Sequence, residues 1–173
     1  MRRMVLCSFL VLFCLSFGST LWAHEGNKPA LQSKCKYCGM SPDHFTWSRV
    51  ILEYEDGTKV ATCSLRCACV ELASNMGVGL TRILVGDYQT KELIDAETAV
   101  WVVGGDKHGV MAKTGKWAFA KKEDAEKFKL EHGGVVGGFG DALDAAYKDI
   151  SDSIKTRRER VKMMKTKVPE KQG

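Results

Sequence analysis

The hexapeptide Cys35-Lys36-Tyr37-Cys38-Gly39-Met40 sets the tightest constraint on this chain, because it crowds two thiols and a thioether into six residues. A second pair, Cys63 and Cys67, follows with a spacing of four, and the segment between the pairs reads as a hairpin. A hairpin returns the chain, so both pairs are expected at one end of the unit it builds. Two close cysteine pairs of this kind form tetrahedral metal sites. Thiolate plus thioether is a soft donor set, suited to Cu(I) more than to magnesium, calcium or manganese.

The first residues bear on compartment. Arg2 and Arg3 precede an apolar run, Val5 to Phe17, that is short for a membrane span, and Leu21-Trp22-Ala23 offers a small residue for cleavage. Residues 1–23 are expected to be an export signal and residues 24–34 a polar linker, with the periplasm as destination; the alternative is an uncleaved anchor. Phe13, directly before Cys14, argues against a lipoprotein signal. Cleavage would remove Cys7 and Cys14 and leave five of the seven cysteines, an odd number that disulfides alone cannot use. Thiols kept free outside the cytosol need a reason, and metal handling supplies one.

Charge is uneven. From Lys155 onward there are eight Lys or Arg residues against Glu159 and Glu170, so the overall excess of five is a property of the tail. Nucleic-acid binding is not expected of a near-neutral body. Membrane contact is expected only through an uncleaved signal or the basic tail. No general acid–base constellation, phosphate loop or Ser-His-Asp arrangement is present, so no enzyme activity is expected.

Periodicity gives the elements. Thr46 to Glu53 alternates as a strand, Glu55-Asp56-Gly57 turns it, and Lys59 to Thr62 returns. A helix starts at Ser64, with Leu65, Ala68, Cys69, Leu72, Ala73 and Met76 on one stripe, and Gly77 closes it. Thr81 to Tyr88 is a further strand. The order repeats with strands at Ala99 to Val103 and Trp117 to Ala120, a helix at Lys121 to His132 and a strand at Val135-Val136. The expected fold class is α+β, two tandem ββαβ units over about 35–88 and 97–139 within a domain of 35–139. Residues 140–173 then form an amphipathic helix that dissolves into the basic tail, with disorder expected from Pro169.

The same stripe sorts the cysteines. Cys69 lies with Leu65 and Leu72 and reads as a small buried hydrophobe. Cys67 is two residues from Leu65, about 200° round the helix, and points elsewhere. Cys63 sits at the mouth of that helix, where the dipole favours a thiolate. Cys35, Cys38, Cys63 and Cys67 are therefore candidate ligands, with Met40 and Met111 as candidate thioethers and His108 as a borderline one. Zn(2+) in a structural four-cysteine site remains the alternative to Cu(I), and a thiol–disulfide pair at Cys35/Cys38 is a third reading.

A series of short segments resembles the NosL family, the periplasmic copper-binding accessory proteins of nitrous oxide reductase. They are C-K-Y-C-G-M at Cys35 to Met40, T-C-S-x-R at Thr62 to Arg66, and Ile94-Asp95-Ala96-x-Thr98-Ala99-x-Trp101-Val102-Val103-Gly104. Val110-Met111, Trp117-Ala118-Phe119-Ala120, Ala125-Glu126-x-Phe128, Glu131-His132-Gly133-Gly134 and Val136 follow in order. The resemblance implies tandem ββαβ units like the core of alkylmercury lyase. It also implies Cu(I) binding and delivery to a copper-accepting enzyme. The family's motif cysteine and methionine map onto Cys38 and Met40, and its later methionine maps onto Met111. Cys67 and Cys69 go beyond the family pattern.

Overall fold

A computed structural model describes residues 33–167. The expected signal at 1–23, most of the linker and the expected disorder from Pro169 lie outside the described residues.

The first unit contains β1 (Val50–Tyr54), β2 (Lys59–Thr62), α1 (Leu65–Ser74) and β3 (Leu80–Gly86). The second contains β5 (Val100–Val103), β6 (Lys116–Phe119), α2 (Lys122–His132) and β7 (Val135–Gly137). Between them runs a short β4 (Leu93–Asp95), and α3 (Phe139–Lys167) ends the described chain. Sheet order is β2-β1-β3-β4 in the first unit and β6-β5-β7 in the second, with every ladder antiparallel. Each unit thus places its first strand centrally, between its second and third. This is the tandem ββαβ arrangement expected from the repeated element order.

The first hairpin forms where turn chemistry demands it. Gly57 sits at φ +82°, and Asp56 accepts the Thr58 N–H at 2.8 Å. β1 starts at Val50 rather than Thr46. Pro42 opens a 3-10 turn, Pro42–Phe45, and the Phe45 carbonyl then accepts the N–H groups of Ser48 and Arg49. Those bonds occupy the backbone that the alternation assigned to a ladder. This entry segment crosses β3 so closely that a Cβ on Gly86 would lie 1.8 Å from the Thr46 carbonyl oxygen. Only glycine fits there.

A shared core joins the two units. Val50, Leu52, Leu65, Ala68, Cys69 and Val85 pack with Trp101 and Ala118 of the second unit and with Ala142 and Ala146 of α3. The seam is hydrogen-bonded as well. Tyr88 N–H donates to the Ala118 carbonyl at 2.7 Å, and buried Asp87 accepts the Ala120 N–H at 3.1 Å. Burial raises the Asp87 carboxyl, but bonds from Thr90 and Ala120 outweigh it and hold the group below the usual range. A buried ion pair, Lys116 Nζ to Asp149 Oδ2 at 2.5 Å, ties β6 to α3.

Two helix ends differ from the periodic reading. α1 stops at Ser74, with the Asn75 N–H bonded to Leu72, so Met76 lies past the helix and is 87% exposed. α3 does not fade at the start of the basic tail but continues to Lys167. Lys, Arg and Met are good helix formers, and no glycine or proline interrupts the segment between Gly140 and Lys167.

Candidate metal centre

The turn carrying Cys35 and Cys38 is closed by its own backbone. Cys35 N–H donates to the Met40 carbonyl at 2.8 Å and Gly39 N–H to the Cys35 carbonyl at 2.8 Å. Gly39 makes this closure feasible at φ +77°, a left-handed conformation that other residues adopt at a cost. Cys63 ends the hairpin one residue after β2, and Cys67 lies in the first turn of α1. Ser48 Oγ donates to the Cys63 carbonyl at 2.9 Å, and Thr62 Oγ1 donates to the Val50 carbonyl at 3.3 Å. Cys63 is therefore anchored from both sides.

The hairpin brings the two pairs together. One sulfur from each of Cys35, Cys38, Cys63 and Cys67 lies within 4.8 Å of the others. Cys38 Sγ is 3.2 Å from Cys63 Sγ, which is 3.8 Å from Cys67 Sγ. Cys35, Cys63 and Cys67 are buried, whereas Cys38 is only half-buried and forms the open edge. Tyr37, Met40, Phe45 and Val110 pack around the group.

The four thiols are not electrostatically equal. Hydrogen bonding from Cys67 lowers the Cys63 pKa to about 6 against the effect of burial, with help from Cys38, Ser64 and Cys35. Cys38 is pushed up to about 11, mainly by burial. Cys67 is raised because its thiol serves Cys63 and because burial disfavours a second charge beside that thiolate. Cys63 is thus favoured as a thiolate while Cys38 and Cys67 are disfavoured, so a soft cation entering the group displaces protons from those two thiols. Cys69 stands apart in the hydrophobic core, pushed up to about 12 by burial.

A NosL family profile matches residues 28–147, more than half of the chain. The chain belongs to the NosL family. It is similar to the crystal structure of the copper chaperone NosL from Shewanella denitrificans, with 25% sequence identity and a TM-score of 0.52. The likeness covers 64% of this chain and 91% of that one. No curated protein matches this chain.

Within this NosL member, the other residues singled out from sequence fall in different places. Met40 packs against the thiol group. Met111 stands at φ +56° in a tight turn bridged by Gly109 and Ala112, one residue from Val110, and its side chain is 45% exposed. It faces an open groove shared with α3 rather than a packed core. His108 is exposed and lines a separate groove with Tyr88 and Lys107.

Periodicity did not single out Glu71. It is 2% exposed on α1, four residues after Cys67, and carries a ring of donors. Tyr37 Oη donates to it, Tyr54 Oη at 3.2 Å, Asn75 Nδ2 at 2.8 Å, and Lys36 Nζ pairs with it at 2.5 Å. Burial pushes the Glu71 carboxyl up, yet the bonds from Lys36 and Tyr37 win and hold it below the usual range. Two of those donors belong to the Cys35–Cys38 turn, so Glu71 clamps that turn onto α1. The available signal was a lone carboxylate one helical turn beyond Cys67, on the same face.

Proposed function

We propose that this chain is an exported Cu(I) carrier that passes copper to a periplasmic copper enzyme such as nitrous oxide reductase. The observation that carries the proposal is the convergence of four sulfurs with three buried and one, Cys38, on the open edge. Sulfur donors select soft monovalent copper over the hard cations, and the similar Shewanella denitrificans protein is a copper chaperone. Copper here is cargo.

Each residue has a distinct part in that cycle. The Cys63 thiolate is the first charged anchor, and Cys35 and Cys67 supply thiolates from the buried side. Cys38 and Met40 hold the accessible side. Met111, exposed on the neighbouring turn, offers a thioether through which the ion enters or leaves. Exchange proceeds one ligand at a time, so the ion is never without sulfur and a partner's donors replace Cys38 first. The rigid Cys35–Met40 turn keeps the remaining donors in place while this happens.

Competition with a chromophoric cuprous chelator tests the proposal on the reduced chain. The Cys38→Ser/Cys63→Ser variant should lose more affinity than the roughly 10–100-fold typical of changes outside the ligand set. Parent-like competition by that variant would remove the site. A structural zinc site is the second reading. It is favoured by the 3.8 Å between Cys63 and Cys67 sulfurs, the separation that tetrahedral Zn–S bonds of about 2.3 Å require. Circular dichroism after chelation separates the two. A carrier stays folded without metal, whereas a zinc-built domain unfolds.

A further inference from the structure

The second half of α3 leaves the body of the protein. Ala142 and Ala146 are fully buried, and Leu143 and Ile150 pack against the shared core. From Ser151 to Thr166 every residue is exposed. At 1.5 Å per residue this overhang extends about 24 Å.

The overhang keeps the amphipathic pattern of the packed half. Ile154, Val161 and Met164 fall 4, 11 and 14 residues after Ile150, continuing the core-facing stripe with 56%, 46% and 67% of their surface exposed. Those offsets confine the stripe to an arc of about 80°. Arg158 and Lys165 border it on one side and Arg160 on the other, Arg157 lies within it, and Glu159 is on the opposite face. Between Lys155 and Thr166 there are six Lys or Arg residues and one acid.

We propose that the overhanging half of α3 is a docking surface for an anionic lipid bilayer. A narrow aliphatic stripe with cations on both borders is the composition of a helix lying in the membrane interface. The aliphatic groups enter the acyl boundary, while the long Arg and Lys side chains reach headgroup phosphates. No described helix is long and apolar enough to cross a membrane, so the contact is peripheral. A second copy of the chain is a poor occupant, because pairing two such helices would oppose six cations with six. An acidic protein would satisfy the cations, but the stripe also needs an apolar bed along three successive turns. A bilayer provides both at once.

Docking here involves the groove onto which Met111 faces. The groove that α3 shares with Met111 and Arg66 runs along the start of the overhang, with Ile154, Arg157, Arg158 and Arg160 on its wall. A carrier held in this way would exchange metal beside the membrane rather than in bulk periplasm.

Vesicle flotation of the chain from residue 24 onward tests this, because it omits the apolar leader, which would partition by itself. The chain should float with phosphatidylethanolamine–phosphatidylglycerol vesicles and stay behind with phosphatidylcholine vesicles. Each basic residue near an anionic surface contributes roughly fivefold, so Arg157→Glu/Arg158→Glu/Arg160→Glu should lower binding by more than about a hundredfold. Ile154→Ser/Val161→Ser/Met164→Ser should also release it, and Glu159→Gln should not. All these positions are exposed, so circular dichroism of the variants should report an intact fold. The proposal is overturned if the parent fails to float, or if it binds phosphatidylcholine equally. It is also overturned if either triple variant floats like the parent.

Discussion

Tyr37, between the first two cysteines, donates a hydrogen bond from its hydroxyl to buried Glu71, one helical turn after Cys67. This joins two segments 34 residues apart and sets the distance between the two cysteine pairs. Metal affinity and fold stability therefore meet at one carboxylate.

Replacing that carboxylate should cost both. Glu71→Ala leaves Tyr54 without its partner, leaves Asn75 only its bond to the residue-71 carbonyl, and frees Lys36 and Tyr37 together with their turn. Each polar group stranded in a buried position costs about 1–3 kcal/mol, so unfolding in urea should reveal a loss of about 3 kcal/mol. Metal affinity should fall by about 10–100-fold, the range seen when support of a ligand shell is removed. Tyr37→Phe should give a smaller decrease of both, measured by the same two titrations.

Acid should destabilise the protein through Glu71 and Asp87. Both carboxyls are held below their usual range in the folded state. The unfolded chain therefore binds protons first, at pKa values of about 4. Their contribution is fully present above that pH and is lost as pH falls through the lower folded values. Chemical denaturation of the metal-free chain should show stability dropping below about pH 4.5. In Glu71→Gln that slope should be shallower, and an unchanged slope would assign the acid sensitivity elsewhere.

The fifth cysteine should behave as packing. Cys69→Val, a change toward similar volume in the core, should cost under about 1.5 kcal/mol and leave metal stoichiometry unchanged. Cys63→Ser should do the reverse, with little loss of folding stability but strong loss of metal. Thermal denaturation and metal quantification on the two variants provide the comparison. Loss of bound metal in Cys69→Val would bring Cys69 into the site.

Local chemistry was legible along the chain. The repeat of strand, strand, helix and strand emerged because hydrophobic periods of two and of about 3.6 residues record which backbone can bury them. The separation of Cys69 from Cys67 followed from helical geometry alone. Strand β1 was misjudged at its start, since alternation at Thr46 to Arg49 could not reveal that the Phe45 carbonyl takes two N–H groups. Met76 was placed on a stripe that had already ended at Ser74.

Residue order alone was enough for the repeated order of elements, though not for all their ends, and for the two thiol pairs and their soft chemistry, because each depends on neighbours within a few positions. Packing of the whole chain decided that four sulfurs share one 4.8 Å cluster while Met111 looks outward. It also decided that Glu71 is buried among donors from three segments, and that α3 outruns the core it helps to close. Those outcomes depend on where distant segments meet in space, and no local period encodes that distance.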